Sequence, residues 1–164
     1  MRSAPVTLRG ARPEDVPAIA GLIRDLAAYE RAPRECRADE TLLRDHLFGE
    51  RPYAETIVAE REGELGGFAL FFHNYSTWLT RPGLYLEDLY VKPELRGLGI
   101  GKAFLVRLAE IAVARGCGRM EWSVLTWNEP AIGFYRSLGA VPMDEWRIYR
   151  LSGEALRALG RGGA

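Results

Sequence analysis

The most informative part of the sequence is a glycine-rich stretch of seven residues, Arg96-Gly97-Leu98-Gly99-Ile100-Gly101-Lys102. Three glycines alternate with other residues between an apolar run at residues 84–91 and a helix-like run at residues 103–115. Glycine tolerates left-handed backbone angles and lets a ligand approach the chain closely. A helix that begins there also presents free N–H groups and the positive end of its dipole. The stretch therefore predicts an anion site, with a phosphate or pyrophosphate as its ligand.

Two common phosphate-binding loops differ from this stretch in spacing. A P-loop requires a glycine five residues before Gly101 and a Ser or Thr after Lys102, but the chain has Arg96 and Ala103 there. A dinucleotide-binding loop requires G-x-G-x-x-G, whereas residues 97–101 read G-x-G-x-G. An acidic residue, Glu121, does stand at about the expected distance, yet the loop lies mid-chain after several predicted strands. The spacing excludes the P-loop and weakens the dinucleotide interpretation.

A third pattern, [R/Q]-x-x-G-x-[G/A], fits Arg96, Gly99 and Gly101 at every fixed position. It is flanked by LAAYE at residues 26–30, YLEDLYV at 85–91 and WNEPAIGFYRSLGA at 127–140. Together these segments resemble the GNAT superfamily of N-acetyltransferases, and within it the diamine branch, the spermidine/spermine N1-acetyltransferases. The resemblance covers residues 6–150, nearly the whole chain.

The spacing of apolar residues predicts the elements around the loop. Strands are expected at residues 5–9, 56–61, 65–74, 84–91, 119–125 and 146–151. Helices are expected from residues 12–15 through Leu26, and at 39–48, 99–115 and 130–138. A hairpin turn is predicted at Glu62-Gly63-Glu64. The order β-α-α-β-β-β-α-β-α-β predicts an α/β fold, a mixed sheet with helices on both faces, as the resemblance also implies. One domain is expected over residues 1–159, with a flexible tail at 160–164.

Composition narrows the function classes. The 22 basic and 22 acidic residues balance, so charge gives no reason to expect nucleic acid or a membrane surface as a partner. The longest apolar stretch, residues 66–72, is too short to span a bilayer. Cys36 and Cys117 show no paired spacing and are expected to be reduced thiols in the cytoplasm. His46 and His73 show no metal-ligand spacing, so no metal is expected.

The resemblance implies acetyl-CoA as co-substrate. Its pyrophosphate is expected on the amides of residues 97–102, with positive charge from Arg96 and Lys102. Its pantetheine arm is expected along the backbone of β-strand residues 89–91, as peptide ligands pair with sheet edges. The cofactor-binding set is Leu89, Tyr90, Val91, Arg96, Gly97, Leu98, Gly99, Ile100, Gly101, Lys102, Asn128, Pro130, Ala131 and Tyr135. Asn128 is expected to bond the pantetheine arm, to cap the following helix, or both.

Acetyl transfer to an amine requires a neutral nucleophile, a donor for the oxyanion and a proton for the leaving thiolate. Tyr135 stands where the related enzymes carry their general-acid tyrosine, and it is predicted to donate that proton. The alternative is an ordinary tyrosine packed against Phe134. Glu87 is predicted, by analogy with the branch, to assist deprotonation of the amine through a water molecule. Period-two alternation puts Glu87 and Asp88 on opposite faces, so only one should face the cleft, and which one stays open.

Substrate recognition is expected at Tyr29, Glu30, Glu87, Asp88, Glu121, Trp122, Ser123 and Asp144. Glu30, Glu87 and Glu121 would make an acidic pocket for a cationic amine. Glu121 departs from the histidine of the polyamine enzymes, and the segment between Gly139 and Trp146 is about three residues shorter. A polyamine and a lysine-like amine such as thialysine are therefore both candidate acceptors.

Three functions remain open at this point. The first is an N-acetyltransferase for a small cationic amine by direct transfer in a ternary complex, since no nucleophilic triad is visible. The second is a protein lysine or N-terminal acetyltransferase, and the third is a non-catalytic acetyl-CoA-binding module. The resemblance also implies a homodimer, for which Trp78, Leu79, Phe71 and Phe72 are candidate apolar surface or core.

Overall fold

The fold contains one mixed sheet of five strands, in the order β1-β2-β3-β4-β5. The loop of residues 96–102 follows the C-terminal end of β4 and leads into the next helix. The computed structural model describes residues 4–162. The strands are β1 Thr7–Gly10, β2 Glu55–Arg61, β3 Glu64–Ser76, β4 Arg81–Val91 and β5 Arg119–Trp122. The helices are α1 Val16–Tyr29, α2 Glu40–Phe48, α3 Ile100–Ala114, α4 Glu129–Ser137 and α5 Gly153–Gly160. The mixed sheet with helices confirms the predicted α/β fold class.

The first four strands form an antiparallel meander, and β5 then pairs parallel to β4. The predicted hairpin turn between β2 and β3 is confirmed, because Glu62 and Gly63 have φ angles of 54° and 82°. Two successive positive φ angles are those of a two-residue type I′ turn, whose twist matches that of the flanking strands. This turn sets the register that leads into β4.

Helices cover both faces of the sheet. On one face, α1 presents Ile19, Leu22 and Leu26 at helical spacing, and these pack in one core cluster with Val58, Phe68 and Tyr90. On the other face, α3 lies so close that a Cβ added to Gly67 would come within 3.3 Å of the Phe104 ring. The central parts of β3 and β4 are therefore covered on both faces, and β4 packs against both α1 and α3.

Two ion-pair networks hold the outer elements to the sheet. The Arg9 guanidinium bonds Asp15 at 2.7 Å and also pairs with Glu60, so it ties β1 to the entry of α1 and to β2. At the end of α3, Arg115 makes a forked pair with both carboxylate oxygens of Glu55 on β2. These contacts lower the pKa of Asp15 and of Glu55, with the arginine hydrogen bond as the first cause in each case.

The residues after Leu125 form a separate compact unit. The strand predicted at residues 146–151 is wrong, because none of residues 126–162 is in a strand. The segment is rich in residues that favour strands, but its large side chains, such as Trp146, Ile148 and Tyr149, are exposed rather than packed in a sheet. Helix α5 was not predicted, and Gly160 ends it. The single domain over residues 1–159 stays a prediction, and residues 163–164 of the expected tail lie outside the described residues.

No helix formed by residues 4–162 is long and apolar enough to cross a membrane. Cys36 and Cys117 are free thiols. Of the apolar residues considered for an interface, Phe71 belongs to the core, whereas Trp78 and Leu79 are exposed at the turn between β3 and β4.

Candidate active site

The glycine loop adopts the backbone that its sequence predicts. Gly97 and Gly99 have φ angles of 77° and 78°, in the left-handed region that residues with a Cβ resist. Gly99 is the N-cap of α3, and Gly101 lies in the first turn of the helix. A Cβ added to any of these three glycines would meet no atom within 4 Å, so the space above the loop is open to a ligand.

Free amides converge on that open space. The first bond within α3 runs from the Ala103 N–H to the Gly99 carbonyl at 2.9 Å, so the amides of Ile100, Gly101 and Lys102 precede the helical ladder. The dipole of a 15-residue helix adds positive potential at the same end. Helix and loop together fit the pyrophosphate of acetyl-CoA.

Arg96 joins the loop to the end of α1. Its Nε donates to the Val91 carbonyl at 2.9 Å, and its guanidinium lies 4.9 Å from the centre of the Tyr29 ring and 5.6 Å from that of Tyr90. Cation–π contacts of this kind contribute about 0.5–1 kcal/mol each where the groups are exposed. The first residue of the motif therefore holds β4, α1 and the loop in one arrangement.

One edge of β4 is open beside the loop. The parallel pairing with β5 covers only residues 83–86, so within the described part of the chain residues 87–91 have a strand neighbour on the β3 side alone. Leu89, Tyr90 and Val91 lie in this stretch, where an extended ligand can pair with the backbone. The sequence prediction for these three residues rested on the resemblance, and the open edge gives it a physical basis.

A β-bulge changes the geometry expected for Glu87 and Asp88. Leu70 pairs with Asp88 and Phe71 with Leu86, so Glu87 is the extra residue on β4. Strict alternation is interrupted there, so alternation alone no longer fixes which side each carboxylate faces, and which of the two faces the cleft stays a prediction. The pKa of Asp88 is raised to about 6. The largest cause is burial of its carboxyl group, followed by repulsion from the charge of Glu87 and then from that of Glu30.

These three carboxylates gather at the junction of β4 with the end of α1. Glu87 and Glu30 are exposed, whereas Asp88 is half-buried on the same face of β4 as Tyr90. Partial burial of its carboxyl raises the pKa of Glu30. A site with three acids and incomplete solvation favours a bound cation, because a cation relieves their mutual repulsion. The structure thus brings together Tyr29, Glu30, Glu87 and Asp88.

A groove of about 470 Å³ lies next to this cluster and was missed by sequence reasoning. Tyr29, Tyr90, Asp25, Lys92, Glu94 and Arg96 contribute to its lining. Lys92 and Glu94 flank Pro93 directly after β4. In the sequence, charged residues at this place are typical of a strand end exposed to solvent. Only their position against α1 reveals a shared cavity.

The structure gives Glu121 an ion-pair partner. Arg119 Nε lies 2.7 Å from its carboxylate, and Asn74 Nδ2 donates to the same oxygen at 3.4 Å. Ser123 Oγ lies 3.0 Å from the Tyr85 hydroxyl. Trp122 is the last residue of β5 and is half-buried. This group stands apart from the described contacts of Asp88 and Glu30, and the paired Glu121 contributes less negative charge than its sequence position suggested.

The remaining predicted residues lie in the unit after Leu125. Asn128 caps α4, with its side chain accepting the Ala131 N–H at 3.4 Å, while Pro130 and Ala131 occupy the first turn. Tyr135 is half-buried on α4, and its ring centre lies 5.6 Å from that of Phe134. Asp144 is exposed. Among residues 4–162, no cluster of three or more His, Cys, Asp or Glu side chains could hold a metal ion.

Comparison with known proteins points to one family. Residues 21–140 match the profile of the acetyltransferase (GNAT) family. The thialysine N-epsilon-acetyltransferase of Bos taurus is 40% identical over 94% of this chain and 96% of its own length. The spermidine/spermine N(1)-acetyltransferase-like protein 1 of Homo sapiens is 38% identical over 91% of this chain and 23% of its own length.

A solved structure supports the same fold. An integron cassette protein from the mobile metagenome of V. cholerae superimposes with a TM-score of 0.80 at 28% identity, over 95% of this chain and 98% of that chain. The similarity extends through both the loop-bearing unit and the residues after it.

Proposed function

This chain belongs to the GNAT family of acetyltransferases, and on that premise we propose that it transfers acetyl from acetyl-CoA to a primary amine of a small cationic acceptor. Transfer is direct, in a ternary complex, without an acetylated protein side chain. The observation that carries the proposal is the glycine loop at the start of α3, which lies on the same unit as the three carboxylates of Glu30, Glu87 and Asp88.

The cofactor half of the proposal rests on backbone groups. Residues 97–102 bind the pyrophosphate through their amides, and Lys102 adds a positive charge beside them. The open edge at residues 89–91 takes the pantetheine arm, which carries the reactive thioester toward the carboxylates. Arg96 contributes charge to this end and fixes the loop through its bond to the Val91 carbonyl.

The carboxylates bind the acceptor and remove its proton. A primary amine is an ammonium ion at pH 7 and must become neutral before its nitrogen attacks. Glu87 is the first candidate for this step. The pKa of about 6 at Asp88 favours that residue as a second candidate, because a base works best when its pKa lies near the operating pH. Glu30 and Tyr29 complete the acceptor site.

Tyr135 donates the proton that the leaving sulfur needs. This assignment rests on its position seven residues after Asn128, within the segment that resembles the family. As the new nitrogen–carbon bond forms, the carbon–sulfur bond breaks, and the phenol supplies a proton to the thiolate. Asn128, Pro130 and Ala131 are proposed cofactor contacts on the same helix, and Asp144 is a proposed contact of the acceptor.

Two observations favour thialysine over a polyamine as the acceptor. The Bos taurus enzyme named for thialysine matches this chain along almost its whole length. The Glu121 position, which departs from the polyamine enzymes, is already paired with Arg119 and so offers little to a long polycation. Trp122 and Ser123 remain proposed acceptor contacts beside it.

We also propose a homodimer located in the cytoplasm. The exposed apolar side chains of Trp78 and Leu79 support a partner surface. A second copy would bury part of this area, which single soluble chains rarely expose in such quantity. Sedimentation equilibrium measures the assembly directly, and a mass equal to one chain at micromolar concentration would contradict it.

The function is tested by incubating the protein with acetyl-CoA and separate acceptors: thialysine, lysine, spermidine, putrescine and a histone-like peptide. Mass spectrometry of the products should show that thialysine is acetylated faster than the other acceptors. Acetylation of the peptide alone would replace the proposal with a protein acetyltransferase. Tyr135→Phe should lower turnover by about 10²–10⁴-fold with little change in acetyl-CoA affinity, and accumulation of an acetyl-protein adduct would contradict direct transfer.

A further inference from the structure

The groove beside the carboxylate cluster carries both signs of charge. Lys92 is half-buried in its wall, and Asp25 and Glu94 are exposed in the same lining. None of these three side chains forms an ion pair with another described residue. By contrast, the Arg96 guanidinium in the same wall is already engaged by Val91 and the two tyrosine rings.

A half-buried cation without a partner is poorly stabilised unless a ligand supplies the opposite charge. Lys92 is anchored by its backbone, since its N–H donates to the Gly66 carbonyl at 2.8 Å. The main chain of Lys92 is therefore fixed to the sheet, and its flexible side chain extends from that point. The carboxylates of Asp25 and Glu94, elsewhere in the lining, can form an ion pair with a positive group of the same ligand.

The distance between the groove and the carboxylate cluster is about the length of an extended lysine side chain. Tyr90 lines the groove, and Asp88 precedes it by two residues on the same face of β4, a separation of about 6.6 Å along a strand. The five bonds from the Cα of lysine to its terminal nitrogen, each about 1.5 Å, span about 6 Å when extended, and the longer C–S bonds of thialysine extend this slightly. Tyr29, also in the groove, leads directly to Glu30.

We propose that this groove binds the α-carboxylate and α-ammonium of a basic amino acid, the carboxylate on Lys92 and the α-ammonium on Asp25 and Glu94. The side-chain amine then reaches Glu30 and Asp88. This inference rests on the proposed function and specifies its acceptor: a zwitterionic head group distinguishes a basic amino acid from a polyamine, which has no carboxylate to offer Lys92.

The test compares thialysine with its decarboxylated diamine, two acceptors that share the reacting amine. The wild-type protein should have a kcat/KM at least about tenfold higher for thialysine, since a charge-assisted contact is lost in the diamine. Lys92→Met should abolish this preference by lowering kcat/KM for thialysine and not for the diamine. Lys92→Glu should reverse it, because the new carboxylate attracts the second ammonium of the diamine.

Lys102→Met is the matched control, as it removes the only other lysine, which lies in the cofactor loop. It should raise the KM for acetyl-CoA equally with both acceptors. The same behaviour in Lys92→Met would place Lys92 on the cofactor and overturn the inference, as would equal wild-type efficiency toward both acceptors. If neither acceptor is acetylated, the proposed function itself fails; if both are, with no dependence on Lys92, only the inference fails.

Discussion

Asp88→Asn should change how the stability of the protein depends on pH. Burial and the charges of Glu87 and Glu30 raise the Asp88 pKa from 3.8 to about 6 in the folded chain. The folded state thus binds this proton more tightly than the unfolded state. The stabilisation is fully present below about pH 4 and is lost as the pH rises through about 6. At 1.36 kcal/mol per pKa unit, the loss is about 3 kcal/mol.

Asparagine has no proton to lose, so it removes this dependence. We expect the free energy of unfolding of the Asp88→Asn variant, relative to that of the wild type, to increase by about 3 kcal/mol between about pH 4 and pH 7.5. Urea unfolding of both proteins at a series of pH values measures it, and the titrations of other carboxylates cancel in the difference. Glu87→Gln should shrink the effect, because it removes the second cause of the raised pKa.

A difference that stays flat across this range would refute the reasoning, as would a variant that loses stability relative to wild type as the pH rises. If the difference is flat, Asp88 is well solvated; if the variant loses stability, the Asp88 carboxylate is already stabilised in the folded chain, so in neither case is Asp88 a destabilised charge. It would then have no reason to hold a cationic amine more strongly than any surface acid, and Glu87 alone would remain the candidate base.

Three further perturbations follow from the same structure. Gly99→Ala should destabilise the fold by about 1–2 kcal/mol and weaken acetyl-CoA binding in calorimetric titration, because φ is 78° there; Gly101→Ala, at a helical position with open space, should keep the fold. Arg96→Lys should weaken acetyl-CoA binding although it keeps the charge, since lysine lacks the Nε donor and the flat guanidinium, and unchanged affinity would contradict that. Glu55→Gln should cost at most about 1 kcal/mol of stability, because the pair with Arg115 is half-exposed, with the difference from wild type vanishing at low pH as Glu55 becomes protonated.

Local patterns predicted the fold well where one segment carries its own signal. The helical spacing of Ile19, Leu22 and Leu26, the Glu62-Gly63 turn and the glycine loop are all confirmed, because each depends on neighbours a few residues away. The segment at residues 146–151 failed for the opposite reason. A strand exists only with a partner strand, and a local run of residues that favour strands does not supply one.

The candidate site shows the same division. The backbone of the loop follows from its glycines and the start of a helix, so the sequence was sufficient to predict that geometry, while its binding of an anion stays a prediction. The bulge at Glu87 depends on the register between β3 and β4, which alternation cannot reveal. Likewise, the pairing of Glu121 with Arg119 and the groove at Lys92 arise from packing in the folded chain. Side-chain partners of this kind are set by tertiary structure, and they alter the charges on which acceptor recognition depends.

Mass spectrometry of thialysine after incubation with acetyl-CoA and the protein measures the proposed acetyl transfer itself. We expect one acetyl group on the side-chain nitrogen of thialysine, formed catalytically and about 10²–10⁴-fold more slowly by the Tyr135→Phe variant. An intact protein that binds acetyl-CoA, yet acetylates neither thialysine nor any other small amine, would contradict it.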